Sequence, residues 1–330
     1  MSIKTTKVYD TYWRFATERQ NILFRKLRGE LQPYTNDSIL LKYRFTNAYR
    51  LADRVSQYLI QVVIPNSKPN VEDVFFRIML FKLFNKIGTW ESLLEMLGEI
   101  HWKSYQKSKI SRALNTIKKI NNSIYSAAYI MPSGSKIYGS SCKHECHMSM
   151  LESMMKDQVP DKVSCAPNMK SVYEILCSYP MIGPFLGYQY ATDINYSDLT
   201  DFSEMEFVVP GPGALDGIRK CFSDFGSYSA SDLIRMMAEQ QQLEFERLGL
   251  DFAYLGERPL QLIDCQNLFC EVDKYARVAH PEVQGLSGRS RIKQQYRPDI
   301  NPFTIKFPPK WGGEIAIAQK ESFDANMLFR

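Results

Sequence analysis

Apolar residues recur at three- and four-residue spacing over 8–29, 38–63, 71–87, 90–98 and 108–130, with Gly or Pro between the runs, so the spacing predicts five helices. A Ser/Gly/Cys-rich break at 132–142 has no such period. Beyond it the pattern resumes and predicts helices over 143–157, 169–178, 184–194, 213–224, 230–247 and 259–278. From Gly285 the chain is rich in proline and basic residues, and it reads as extended chain laid over the helices or over DNA. The expectation is an all-α protein in three stretches, 1–131, 143–284 and a basic tail 285–330, forming one unit. There is no internal repeat and no long low-complexity tract.

Composition narrows the classes. A chain of 330 residues that is 45% hydrophobic can bury a substantial core. The formal charge of +5 is modest, so contact with nucleic acid would rest on local clustering. Residues 1–55 hold eleven Lys or Arg against five Asp or Glu, and 289–310 hold six against one, which leaves the middle near neutral or acidic. Seven cysteines without framework spacing suit a reducing cytosol. The N-terminus lacks an apolar signal core, and the most hydrophobic stretch, Phe75–Phe84, is interrupted by Arg77 and Lys82, so no membrane insertion is expected.

The segment Tyr179–Ser197 is the most informative. Its Ile182-Gly183-Pro184 turn opens a helix whose first-turn N–H groups suit a phosphate oxygen, with Gly187 one turn further on. It resembles the helix-hairpin-helix of the DNA glycosylase superfamily. A plain helix-start turn has the same local signature. Downstream, Gly211 and Gly213 could form a second anion-binding turn or a purely structural one. Glycosylases of that type place an aspartate just before this helix. Here Asp216 comes a few residues late, which argues against N-glycosidic cleavage.

Seven blocks, Tyr12–Gln20, Tyr43–Tyr58, Phe76–Trp90, Lys143–His147, the hairpin, Gly211–Gly217 and Leu262–Tyr275, together resemble one family. It comprises the phage amino acid:DNA transferases, also called α-glutamyl/putrescinyl thymine pyrophosphorylases, with the helical domain of 5-hydroxymethyluracil DNA kinases. The resemblance implies a DNA-glycosylase-like helical fold and a step of thymidine hypermodification that protects phage DNA from restriction in the host cytoplasm. A kinase phosphorylates 5-hydroxymethyldeoxyuridine in double-stranded DNA, and the transferase replaces the phosphate or pyrophosphate with the α-amine of a free amino acid, glycine favoured, serine or glutamate possible. The chain has no Gly-x-x-x-x-Gly-Lys-Ser/Thr loop, so the kinase step would fall to another protein. Rival classes are a non-catalytic DNA-binding module that accompanies such a kinase and a base-excising glycosylase.

Displacement at the base's 5-methylene carbon needs a flipped nucleotide, a stabilised leaving phosphate and a deprotonated amine. Asn47, Arg50 and Arg54, at i, i+3 and i+7 of the predicted 38–63 helix, are candidate phosphate ligands, against a solvated basic face. Arg77, Lys82 and Asn85 lie in an apolar helix, where polar groups require partners. Gln189 joins them as a substrate-binding candidate. Asp264, Asn267 and Glu271 share a face of the helix after Pro259 and could orient an ammonium group and accept its proton, against a structural network. His144 and His147 are acid/base candidates, and Asp216 is kept as a catalytic one. The cramped Cys142-x-His144-x-Cys146-His147 spacing disfavours zinc, so no metal and no cofactor are expected. Arg289, Arg291 and Lys293 are expected to contact DNA phosphates together with Gly183, Gly187, Gly211 and Gly213.

Overall fold

The computed structural model describes residues 3–65, 70–298 and 304–312. The parts of the predicted tail at 299–303 and 313–330 lie outside the described residues. The fold is all-α, apart from a small antiparallel pair, β1 (Lys4–Thr5) with β2 (Phe222–Asp224), that ties the N-terminus to the second half of the chain.

Helix α1 (Lys7–Leu27) starts at Thr6, whose side chain accepts the N–H of Val8. After α2 (Ser38–Lys42) come a 3-10 turn at Arg50–Ala52 and α3 (Arg54–Tyr58), which runs on as a π-helical turn at Leu59–Val63. The continuous helix expected over 38–63 is therefore broken at 43–49. Backbone N–H groups there find carboxylates of distant residues in place of helical carbonyls, as described below.

Helix α4 (Val71–Phe84) is the axis of the core. Asn70 caps it, and every side chain from Asp73 to Phe84 is buried. Asn85 closes it in the left-handed conformation at φ 48°. Next come α5 (Ile87–Leu97) and α6 (Lys107–Asn121), which ends at the left-handed Asn122 and does not reach residue 130. Residues 123–131 instead fold back over the end of α4, where Thr89 donates to the carbonyl of Ile124 and Ser126 N–H to that of Phe84.

The second half holds α7 (Ser135–Tyr138), α8 (Lys143–Lys156), α9 (Val159–Ser164), α10 (Met169–Cys177), α11 (Pro184–Ile194), α12 (Pro212–Cys221), α13 (Ala230–Arg247) and α14 (Leu262–Ala279). The short α7 and α9 have no counterpart in the sequence expectation. Helix α4 packs against α8, α9 and α11, while α1 packs against α12 and α14, so first-half helices interleave with second-half ones. One buried apolar cluster extends from Val8 to Phe307. The closest crossing is α12 on α14, where a Cβ on Gly217 would come within 2.0 Å of the carbonyl oxygen of Phe269. Among the described residues no helix is long and apolar enough to cross a membrane.

Candidate active site

Helix α4 brings a lysine into the protein interior. Lys82 is 2% exposed, and its ammonium donates to Asn85 Oδ1 at 2.7 Å and lies 3.1 Å from Asp193 Oδ2. The other Asp193 oxygen takes Arg50 Nη2 at 2.8 Å, and Asp193 is fully buried on α11. The Arg50 Nε donates to Gln189 Oε1 at 3.0 Å, one of its Nη groups reaches the Tyr196 hydroxyl at 3.2 Å, and Gln189 donates to Gln266 at 3.2 Å. Two buried cations thus share one carboxylate. Burial lowers the Lys82 pKa; for Arg50 burial is the largest single influence and opposes the charge, but the combined attraction of Asp193, Tyr196 and Tyr129 outweighs it and raises the guanidinium pKa. Asp193 is the carboxylate in direct contact with both cations, with Asp53 a further charge acting on each, and two cations converging on one carboxylate suit an anionic ligand.

The 43–53 segment that carries Arg50 is held by carboxylates. Glu271 accepts the N–H of Thr46 at 3.0 Å, Asp264 that of Arg50 at 2.7 Å, and Asp53 that of Asn47 at 2.9 Å. Asp264 also accepts the N–H of Gln261, closing a capping box at the start of α14, and Lys274 pairs with Glu271 at 2.7 Å. The carboxylates expected to handle an ammonium group are therefore engaged in shaping the Arg50 loop. Between them on α14, Asn267 and Cys270 are half-buried, and the Asn267 amide makes no hydrogen bond among the described residues.

Burial and the nearby charge of Glu204 raise Asp264 to about 7, but that group is fully buried and both its oxygens accept backbone N–H groups, so Asp53 is the raised carboxyl group open to a ligand. Burial pushes it up to about 7, against the Asn47 hydrogen bond and the opposing charges of Arg50 and Arg19. It remains partly accessible and is electrostatically coupled to Lys82 and Tyr129.

Tyr129 covers this cluster. Lys82 Nζ sits 5.0 Å from the centre of its ring, and the ring stacks on Phe185 with centroids 5.8 Å apart and planes 8° from parallel. Its φ of 54° is rare for a bulky aromatic and marks a backbone held under strain. Phe185 lies in the first turn of α11, and its ring would be 2.7 Å from a Cβ on Gly211, so the starts of α11 and α12 meet beside it. Gly183 and Gly211 are the N-caps of those helices and supply no side-chain cap. From the other side, Trp311 packs edge-on against Tyr196 at 5.8 Å, and Lys310 donates to the carbonyl of Ser197 at 2.9 Å.

The remaining predicted residues separate from this cluster. Asn47 and Arg54 do not share a helical face with Arg50, because 43–49 is not helical. They line a different hollow of about 140 Å³ with Arg19 and Tyr34. Arg77 is buried under Trp90, and its guanidinium is engaged by the carbonyls of Val62, Val63, Pro65 and Ile100. Gly187 lets α10 approach α11, since a Cβ there would be 2.4 Å from Cys177 Sγ, and Gly213 does the same against Cys270. Burial raises the pKa of Asp216, but hydrogen bonds from Ser287 and Leu286 outweigh it, and the carboxylate caps the 285–287 turn. Arg289, Arg291 and Lys293 are exposed on a tail that crosses the helices, with Ile292 buried beneath it.

His147 is fully buried between the Tyr125 hydroxyl at 2.9 Å and the Pro132 carbonyl at 2.8 Å, and burial lowers it to about 4. His144 lies against Cys142 Sγ at 3.2 Å and Ser111 at 3.1 Å, with its pKa lowered by burial. Cys142, His144 and Glu145 place one potential ligand atom each within 4.8 Å of one another, whereas Cys146 turns to the carbonyl of Ser140. The four-residue Cys/His set is therefore not assembled.

Sequence reasoning missed Asp53, Tyr129, Phe185, Asp193 and Tyr196. A signal existed for Asp193, an ionisable residue one helical turn after Gln189 on an otherwise buried helix. Tyr129 gave none, because the apolar spacing assigns it to the end of the helix expected over 108–130.

A model of the family described as "5-hmdU DNA kinase, helical domain" matches residues 6–285. A "5-hmdU DNA kinase" of Bacillus phage SP10 is 26% identical over 286 residues, which is 81% of this chain. The match covers 45% of that kinase, so the chain spans about half the length of the curated relative it matches. No solved structure matches the chain.

Proposed function

Since the chain belongs to the family of 5-hmdU DNA kinase helical domains, we propose that it acts on phosphorylated 5-hydroxymethyldeoxyuridine in duplex phage DNA and transfers an amino acid to the base through its α-amine. The observation that carries this reading is the buried Arg50–Asp193–Lys82 group under Tyr129, beside an aspartate poised near neutrality.

In the proposed reaction the target nucleotide leaves the stack and its ring lies against Tyr129 and Phe185, at an unstacking cost of a few kcal/mol. Lys82 and Arg50 stabilise the phosphate as the C–O bond to the 5-methylene carbon breaks. The uracil ring supplies electrons to an exocyclic methylene, the amine adds to that carbon, and Asp53 takes the proton that the ammonium group loses. The leaving group departs as phosphate, or as pyrophosphate if the base carries two phosphoryl groups. An upstream kinase supplies the phosphorylated base, and the product is a thymidine whose 5-methylene carbon carries the amino acid through its α-nitrogen, within the polymer. The N-termini of α11 and α12 would hold the flanking backbone.

The rival reading is a non-catalytic DNA-binding module that accompanies a hydroxymethyluracil DNA kinase. The engagement of Asp216 with the 285–287 turn weighs against base excision. The test is to incubate the protein with phosphomethyluracil DNA and glycine, serine or glutamate, then digest to nucleosides for mass spectrometry. A thymidine carrying the amino acid on its 5-methylene carbon through the α-nitrogen is expected. Free base would indicate a glycosylase, and unchanged nucleosides with retained DNA binding would indicate the module.

A further inference from the structure

Residues 100–144 contain eight Lys or Arg and no Asp or Glu, so the near-neutral middle of the chain conceals a sharply segregated block. Helix α6 organises it. Ile110, Ala113, Leu114 and Ile117 are buried, and the opposite face presents Lys109, Arg112, Lys118 and Lys119 to solvent. In this block only Lys107 has a carboxylate within salt-bridge reach among the described residues, Glu152 at 3.9 Å. Elsewhere some exposed cations do pair with acids, as Arg28 does with Glu30, Lys170 with Glu174 and Arg247 with Asp10.

A solvated helix face mixes its signs and places acids in the first turn, where the helix dipole favours them. Helix α6 does the reverse, with Lys107 and Lys109 in its first turn, no acid there and Arg112 soon after. Those charges work against the dipole, so their placement points to a ligand outside the chain. The patch is also continuous with the site. Lys86 donates to the carbonyl of Ser123, Lys143 lies 4.5 Å over the ring of Tyr125, and both contacts fall on the segment that carries Tyr129.

We propose that the exposed face of α6, extended by Lys86 and Lys143, binds the phosphodiester backbone of DNA flanking the nucleotide under Tyr129. This inference rests on the reading of DNA as substrate. The sugar-phosphate chain is the ligand that a long, acid-free row of unpaired cations complements, and neutralising each phosphate would release condensed counterions. Contacts of this kind to phosphates position the duplex and give affinity without sequence preference.

The test compares wild type with Lys109→Ala/Arg112→Ala/Lys119→Ala and with a control that loses three cations elsewhere, Lys156→Ala/Lys162→Ala/Lys170→Ala. Binding to unmodified duplex DNA is followed by fluorescence anisotropy from 50 to 200 mM salt, conditions chosen for the steep dependence expected of phosphate contacts. The α6 variant should lower the slope of log affinity against log salt by about 2.7, at about 0.9 for each phosphate no longer neutralised, with a melting temperature close to wild type because alanine suits the helix and the relief of the dipole at Lys109 and Arg112 offsets the loss of Lys119 in the last turn. The control should keep the wild-type slope. An unchanged slope in the α6 variant, or an equal fall in the control, overturns the patch while leaving DNA as substrate. A wild type that does not bind DNA overturns both.

Discussion

Asp193 Oδ2 lies 3.1 Å from Lys82 Nζ, with the carboxylate fully buried and the lysine side chain 3% exposed, while its second oxygen holds Arg50. The stoichiometry separates structural from chemical roles. Asp193→Asn would remove the carboxylate in direct contact with two buried cations, and unfolding in urea should show a loss of about 3–5 kcal/mol. Lys82→Met keeps Arg50 paired and should cost much less stability. It removes a cation proposed for the leaving phosphate, so turnover on phosphomethyluracil DNA should fall about 10²- to 10³-fold. A folded Lys82→Met variant with wild-type turnover would make the cluster a structural one.

Asp53 gives the proposed reaction its pH dependence. Burial holds its pKa near 7, so the fraction able to accept a proton grows through neutrality. The rate at low DNA concentration should rise about tenfold per pH unit below 6 and level off above 8. Asp53→Asn should abolish turnover. It should also raise stability at pH 8: a carboxyl whose folded pKa exceeds its unfolded one destabilises the fold progressively from about pH 4 to 7, and the amide does not ionise. A variant that keeps the wild-type pH profile would remove Asp53 from the reaction.

The helices were legible where apolar spacing and burial coincide, as along α1, α4 and α13. The 43–53 loop was misread for a physical reason. Phe45, Ala48, Tyr49 and Ala52 are spaced like one face of a helix and are all buried, but Thr46 and Arg50 give their N–H groups to Glu271 and Asp264, more than two hundred residues away. Hydrophobic period records which side chains are buried, and it is silent on where the backbone finds its partners. Lys82 was legible as a polar group in an apolar helix and Arg50 as a cation on a periodic arc, and the structure brings both together with Gln189 around Asp193. Arg77 carried the same signal and is engaged by four carbonyls, because burial demands partners without specifying their kind.

His147 tests whether a buried histidine beside the 123–131 loop is a catalyst or a brace. Its Nε2–H donates to the carbonyl of Pro132 and its Nδ1 accepts from the hydroxyl of Tyr125, so both ring nitrogens are occupied in the neutral form. Burial depresses its pKa to about 4. The unfolded chain, with a pKa near 6.5, binds a proton that the folded chain refuses between those values. The contribution to stability is fully present above pH 6.5 and lost as pH falls through 4, on the order of 3 kcal/mol. His147→Phe should be less stable than wild type at pH 7 yet show a flatter loss between pH 6.5 and 4 in urea unfolding. Because the ring touches neither Lys82 nor Arg50, turnover of the folded variant at pH 7.5 should stay within about twofold of wild type, since only changes near the reacting groups alter the barrier strongly. A folded His147→Phe variant that has lost turnover would restore this histidine to the chemistry.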